Sequence, residues 1–521
     1  MDGLDGPIGL TGKVGLRREI AALTIAAILL TLTTVSVQAG SAANSYDWPQ
    51  FNFDPVHSGN NTLESMISPD NVASLTRVYR ITLPDIVDGA PASLSNVVIG
   101  GDTINLLFMT TKDGHILALN AKTGDQIWSR QYGPDGCRIN NGYLPCYTTS
   151  SPALDPNRQF VYSYGLDGFA HKLRVEDGAE VTGEGWPQLS TLKPFNEKGS
   201  SALSISTTAD GNNYLYVTNG GYLGDRGDYQ GHVTAINLTT GHQNVFNANC
   251  SDQAVHFEQE PAGPDCPEVQ SAIWARAGVV YVASLDAIFM ATGNGTFDPQ
   301  GHDWGDTVFK LHADGTGKNG DPLDSFTPDN YAALQDYDLD LGSTAPALLP
   351  VPPESAIKHL AVQGGKDQKL RLIDLDNMNG HGGPGYVGGQ VGPTLPIPQG
   401  DMMFTAPAVW IDPADHSTWA FVSTGRGLSG LRLAVANDGI PRLEVMWKHS
   451  DGGSSPIVAN NVLYCAGARG ISAYRPRDGK LLWRDGTIGG IHWQSPIVVN
   501  GALYITDQNG QLNTYRLSGG K

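Results

Sequence analysis

Residues Ser454–Trp483 read SSPIVANNVLYCAGARGISAYRPRDGKLLW, and residues Gln494–Leu517 read QSPIVVNGALYITDQNGQLNTYRL. Ser455 and Ser495, Pro456 and Pro496, Leu463 and Leu503, Tyr464 and Tyr504, and Gly470 and Gly510 fall in register. The repeat is about 40 residues long, the period of a four-stranded propeller blade. In the first copy a strand is predicted over Ile457–Ala459, followed by a tight turn at Asn460-Asn461. Strands follow over Val462–Ala466 and Ile471–Tyr474, parted by a glycine turn at Gly470. The Asp478-Gly479 turn leads to a short fourth strand ending in Trp483. Alternating apolar residues bounded by Gly, Asn and Asp are strand and hairpin signals.

Outward from this pair, one element recurs: a small or hydroxyl residue, often Pro, then a short apolar strand. It stands at Ala90-Pro91-Ala92, Ser151-Pro152-Ala153, Ala345-Pro346-Ala347, Ala406-Pro407-Ala408, Ser455-Pro456-Ile457 and Ser495-Pro496-Ile497. Weaker copies stand at Ser201-Ala202-Leu203 and Ser271-Ala272-Ile273. Proline at the first position of a strand costs no ladder hydrogen bond, which suits its recurrent place. Eight starts predict an all-β fold, an eight-bladed β-propeller of four-stranded blades. The last copy lacks a fourth strand, and a surplus strand is expected near Val78–Ile81. Joining the N- and C-terminal strands would close the ring and remove its open edges. The segments Asn249–Val269, Thr296–Asp306, Asp314–Leu341 and Asn377–Met403 are read as long loops on neighbouring blades, where function tends to sit.

The composition agrees. The chain has 521 residues with 64 Gly and 32 Pro, which suits many short strands and turns. A formal net charge of −19 argues against a nucleic-acid partner, since phosphate binders carry a basic stripe. Residues 1–39 read as a signal peptide or N-terminal anchor: Arg17 and Arg18, an apolar run from Ile20 to Val37, then small residues ending at Ala39. Residues 40–521 are then one propeller domain, and an anchor is the sole membrane contact expected. The expected location is extracytoplasmic: periplasmic, secreted or at the cell surface. Cys137 with Cys146, and Cys250 with Cys266, each bracket a short loop and are expected to form disulfides in an oxidising compartment. Cys465 lies mid-strand and is expected to be a small buried hydrophobe. The glycine-rich run Gly380–Gly389 follows no strand-to-helix pattern and is not a nucleotide motif. His302, with Asp298, Asp303 and Asp306, is a second, oxygen-rich candidate for a metal. No GxSxG elbow, HExxH or P-loop is present.

KDGHILALNAKTGDQIW (Lys112–Trp128) and RGISAYRPRDGKLLW (Arg469–Trp483) resemble the tryptophan-docking repeat of quinoprotein propellers. That superfamily includes pyrroloquinoline quinone (PQQ) alcohol dehydrogenases and non-enzymatic outer-membrane-assembly propellers. The opening DWPQFNFDPVHSG (Asp47–Gly59) is similar to how such chains begin, and the resemblance spans nearly all of residues 45–517. It implies PQQ on the propeller axis beside Ca2+, an aspartate base, and a Lys or Arg on the quinone oxygens. ATGNG (Ala291–Gly295) is similar to the family's TGN segment, which makes Asn294 the candidate amide ligand for calcium. GGKD (Gly364–Asp367) places Lys366 as the quinone-contacting cation. DYDLDLG (Asp336–Gly342) offers Asp338 or Asp340 as the base. GGYLGDRG (Gly220–Gly227) is similar to the segment holding the glutamate ligand, but that position is Tyr222, with Asp225 nearby as a substitute carboxylate.

A phenol is a poor calcium ligand beside a carboxylate. The adjacent Cys-Cys pair of many such dehydrogenases is missing, and no Cys-x-x-Cys-His marks an attached haem. Two readings follow. One is an exported propeller that binds a small molecule or protein at its axial face, or scaffolds, with an incomplete quinoprotein site. The other is a PQQ- and calcium-dependent alcohol or sugar dehydrogenase. A surface assembly factor is disfavoured by the lack of a lipid-attachment Cys near the signal.

Overall fold

The computed structural model describes residues 45–133, 137–139, 144–258 and 266–518. The signal-like segment 1–39 lies outside them. Eight sheets follow one another along the chain, six of four strands and two, the third and the seventh, with a fifth strand added. The first pairs Ala92–Ile99, Asp102–Thr110, His115–Asn120 and Gln126–Gln131 in sequence order. The seventh, predicted from the opening repeat, pairs Ile457–Ala459, Val462–Gly467, Gly470–Tyr474 and Leu481–Asp485. Its first turn has Asn460 at φ 44° and Asn461 at φ 62°, the left-handed pair that a two-residue hairpin turn needs. Its fourth strand runs two residues past Trp483.

The eighth blade takes Ile497–Val499, Ala502–Asp507 and Gln511–Leu517 from the C-terminal end and Leu75–Thr82 from the N-terminal side. The surplus strand thus closes the ring, with Leu75 opposite Leu517 and Thr82 opposite Gln511. The first strands of successive blades approach one another, Ala92–Ile99 with Ala153–Leu154 and Ala408–Ile411 with Ile457–Ala459, and so form the inner ring. Three of the segments expected to be long loops carry structure. Thr296–Asp306 holds a small hairpin, Phe297–Asp298 with Asp303–Trp304. Asp314–Leu341 holds the fourth strand of blade 4, Asp324–Phe326, and a helix, Tyr331–Asp336. Asn377–Met403 holds the fourth strand of blade 5, Leu395–Pro396. Strands this short have too few alternating residues to announce themselves.

The repeat tryptophans join blades. Trp128 donates Nε1–H to the Val175 carbonyl at 2.9 Å, Trp447 to Pro476 at 2.8 Å, and Trp483 to Leu75 at 3.0 Å. Each bond crosses to the next blade. Gly178, at φ 64°, lies against the Trp128 ring, where a Cβ would sit 2.5 Å from Cδ2. At the closure, Tyr79 takes the tryptophan's part and donates to the Ala121 carbonyl at 3.1 Å. Trp128→Phe, which keeps the ring but loses the bond, is expected to cost about 1–3 kcal/mol. A shift in the urea midpoint checks this.

Both expected disulfides are formed, Cys137–Cys146 with Cα atoms 5.4 Å apart and Cys250–Cys266 at 5.7 Å. Cys465 is buried and in no disulfide, a small side chain in mid-strand. No helix among the described residues is long and apolar enough to cross a membrane.

Candidate functional site

Blade topology decides which residues meet. The first strand leaves one face of the ring and the second returns to it. The connection before strand one and the turn after strand two therefore lie on the same face. Lys112, Tyr222, Asn294 and Lys366 each follow a second strand, in blades 1, 3, 4 and 5. Asp88, Thr149, Lys198, Asp340 and Trp493 each stand before a blade's first strand. All nine line one cavity of about 670 Å³. Six of the eight blades contribute to it, as a site at the axis requires.

The structure places Asn294, Asp225, Asp338, Asp340 and Lys366 together in the lining of this cavity. Lys366 Nζ lies 2.5 Å from Asp338 Oδ1 and 2.5 Å from Asp340 Oδ2. The other Asp340 oxygen accepts the Asn294 backbone N–H at 2.6 Å. Lys366 N–H donates to the Asp340 carbonyl at 3.0 Å, so the two connections are bound by backbone as well as charge. Burial works against the Lys366 charge, but Asp340 and Asp338 hold its pKa above the ordinary lysine value. Burial pushes the Asp340 carboxyl up, and Lys366 offsets part of this. Behind them, burial and Asp340 push Asp306 up to about 8. Its Oδ1 accepts the Leu341 N–H at 2.9 Å, and its Oδ2 has no partner.

The donor set does not suit calcium. Lys366, a cation, already faces both carboxylates. Tyr222, at the glutamate position, donates its hydroxyl to the Pro194 carbonyl at 3.0 Å and packs edge-on to Tyr147. Burial pushes its pKa well above the ordinary phenol, so it is no anionic ligand. Asp225 accepts the Tyr229 hydroxyl at 2.7 Å. Asn294 donates Nδ2–H to the Leu334 and Gln335 carbonyls, while its buried Oδ1 accepts nothing. The His302 patch is not assembled: His302 pairs with Asp321 at 2.8 Å, and Asp306 turns to Leu341. Among the described residues, the one group of three metal-capable side chains is Cys250, Cys266 and Asp303, and its two sulfurs are bonded to each other.

The sequence reading missed a second, basic pole. Arg276 is 3% exposed and donates to Thr149 Oγ1 and to the Ser200 and Thr149 carbonyls, with no carboxylate within 4 Å among the described residues. Its Nε has no acceptor. Lys198 is 7% exposed and donates to Ser200 Oγ at 2.6 Å. Lys112 stands 3.9 Å from Asp88 Oδ2, which also takes His492 Nδ1 at 2.8 Å. Against the upward push of burial, His492, Arg276 and Lys112 hold Asp88 below the usual carboxylate range. Aromatic rings connect the poles. Lys366 Nζ lies 5.5 Å from the Trp274 ring, Trp274 meets Trp493 edge-on at 6.4 Å, and Arg276 lies 5.9 Å from Trp493. Phe404 completes the cluster, 5.5 Å from Trp493.

One signal could have found this pole. Asp88, Thr149, Phe404 and Trp493 each stand two residues before a small-residue blade start, and Lys198 stands three before. Trp274 and Arg276 escape that register. After Ser271-Ala272-Ile273 the strand begins only at Val280, and the intervening turn carries both side chains to the cavity.

The sequence matches no protein-family model and no curated protein. Solved structures do match. Quinohemoprotein alcohol dehydrogenase ADHIIG from Pseudomonas putida HK5 superposes with a TM-score of 0.58 at 14% identity, over 91% of this chain and 81% of that one. The quinohemoprotein alcohol dehydrogenase of Comamonas testosteroni gives 0.58 at 16%, with the same coverage. A europium-containing methanol dehydrogenase gives 0.58 at 14%, over 88% of this chain and 89% of that one. At these identities the likeness speaks for the fold. The chain has the eight-bladed propeller fold of the quinoprotein alcohol dehydrogenases.

Proposed function

We propose that this protein is an exported binding propeller whose axial cavity takes a flat aromatic carboxylate such as PQQ, without calcium and without dehydrogenase turnover. The observation that carries the reading is the guanidinium of Arg276, with Lys198 as a second basic group. Both are buried, both line the cavity, and neither has a carboxylate within 4 Å among the described residues. Buried cations ordinarily come with a partner, because desolvation is costly. An anionic ligand supplies one, and Trp274 and Trp493 supply apolar faces for its ring. PQQ is planar and carries three carboxylates, so it matches both features. Residues 1–39 act in this reading as signal or anchor, and the two disulfides suit an extracytoplasmic compartment.

The test is titration of the purified chain with PQQ, followed by tryptophan fluorescence, with calcium and with chelator. Saturable binding is expected under both conditions, and no reduction of an artificial electron acceptor by alcohols or sugars. Arg276→Met should weaken binding roughly 30-fold or more. Absence of binding overturns the reading.

The second reading, a PQQ- and calcium-dependent dehydrogenase, is favoured by the buried, unpartnered Asn294 Oδ1. It requires Lys366 to leave Asp338 and Asp340. Calcium-dependent PQQ binding with acceptor reduction would decide for it.

A further inference from the structure

We propose that Lys198 is a carbonyl-capturing amine, which forms an imine with an aldehyde or ketone group of a ligand held in the axial cavity. The inference rests on the binding reading above and extends it to the chemical class of ligand. The cavity has three lysines, and their surroundings differ. Lys366 is clamped by Asp338 and Asp340 at 2.5 Å each, and Lys112 faces Asp88 at 3.9 Å. Lys198 has a neutral partner, Ser200 Oγ at 2.6 Å. The Tyr147 ring lies 4.6 Å from its Nζ and the Tyr222 ring 5.9 Å. Its place is also rigid. Glu197–Gly199 is a strand paired to Gly221–Asn219, with Lys198 opposite Gly220. The amine is thus fixed at the cavity wall, with no carboxylate within 4 Å among the described residues.

Burial first, and then the positive charge of Arg276, push the Lys198 pKa down to about 7. Lys112 acts in the same direction, and Asp88 against it. The phenols of Tyr147 and Tyr222, raised by burial, stay neutral beside it. At pH 7 a free lysine near 10.4 holds about one amine in two thousand unprotonated, so Lys198 gains about a thousandfold in nucleophilic form. The step balances without an oxidant. The amine nitrogen adds to the carbonyl carbon, the C–O bond breaks, and the oxygen leaves as water with the two amine protons. The product is a C=N bond to Nζ.

The probe is 4-carboxybenzaldehyde, which has a ring, a carboxylate and a carbonyl. The control is 4-carboxybenzyl alcohol, which lacks the carbonyl. The purified chain is incubated with the aldehyde and cyanoborohydride at pH 7, then weighed intact and mapped by peptide mass. Binding of the alcohol is followed by tryptophan fluorescence.

One adduct per chain at Lys198 is expected, in large excess over surface lysines. The labelling should fall as the amine protonates below about pH 7, and Lys198→Arg should abolish it. Mapping on the wild type carries the test if that variant does not fold. Alcohol binding without an adduct at Lys198 overturns this proposal and leaves the binding reading standing. An adduct at Lys198 without alcohol binding supports the amine and overturns the aromatic carboxylate reading. Labelling spread evenly over surface lysines, or none at all, overturns the proposal.

Discussion

Replacing Lys366 by methionine is expected to cost about 3–5 kcal/mol of stability at neutral pH, with most of the loss regained on acidification. The side chain is 12% exposed and its main partner, Asp340, 7%. Asp338 is 67% exposed and contributes little, since water already screens it. Removing the ammonium leaves Asp340 buried as a carboxylate, with the Asn294 N–H as its remaining donor. Burial already pushes this carboxyl up, and without Lys366 it rises further. A carboxyl whose folded pKa lies above its unfolded value contributes stability below the unfolded value and loses it as pH rises through the folded one. The gap between wild type and Lys366→Met should therefore be small near pH 4 and widen toward pH 7. Urea unfolding at the two pH values measures it. The same variant tests why calcium does not fit. With the competing cation gone, millimolar calcium should raise the melting temperature of Lys366→Met and leave the wild type unchanged. An equal rise in both would mean that calcium binds despite Lys366.

Asp306→Asn is expected to act in the opposite sense at high pH. Burial, with the negative charge of Asp340, sets the Asp306 pKa at about 8, against about 4 for a free carboxyl. The folded state thus prefers the neutral acid. Its contribution is complete below pH 4 and disappears as pH rises through 8. The wild type should lose on the order of a few kcal/mol between pH 5 and pH 9 from this one group. Asparagine keeps the oxygen that accepts the Leu341 N–H and carries no charge to bury. The variant should then have the flatter stability curve and exceed the wild type at pH 9. Parallel curves would place the ionisation of Asp306 elsewhere.

The site was legible in part. Asn294, Asp225, Asp338, Asp340 and Lys366 could be named as candidates because they lie in segments with distinctive local spelling, ATGNG, GGYLGDRG, DYDLDLG and GGKD. The choice between Asp338 and Asp340 could not be made from spelling, because both stand in one short acidic run. The structure separates them by burial: Asp340 is inside with a backbone donor, and Asp338 is outside with φ 52°. Lys198 and Arg276 had no such spelling. FNEKGSS and IWARAG look like ordinary turns, and the meaning of their cations comes from neighbours on other blades.

The sequence by itself determined the ring. The repeat period, the small residue and Pro at each blade start, and the strand near Val78–Ile81 are local patterns, and local patterns set strands, turns and their count. Even closure followed, since a fourth strand missing at one end and spare at the other have one economical solution. Tertiary structure alone decided which charges face one another. Lys366 meets Asp338 and Asp340 across two connections, while Arg276 and Lys198 have no carboxylate within 4 Å among the described residues. A propeller brings residues hundreds of positions apart to one axis, as Asp88 and His492 show. Charge pairing at that axis is therefore a property of the closed ring, and no single blade's sequence contains it.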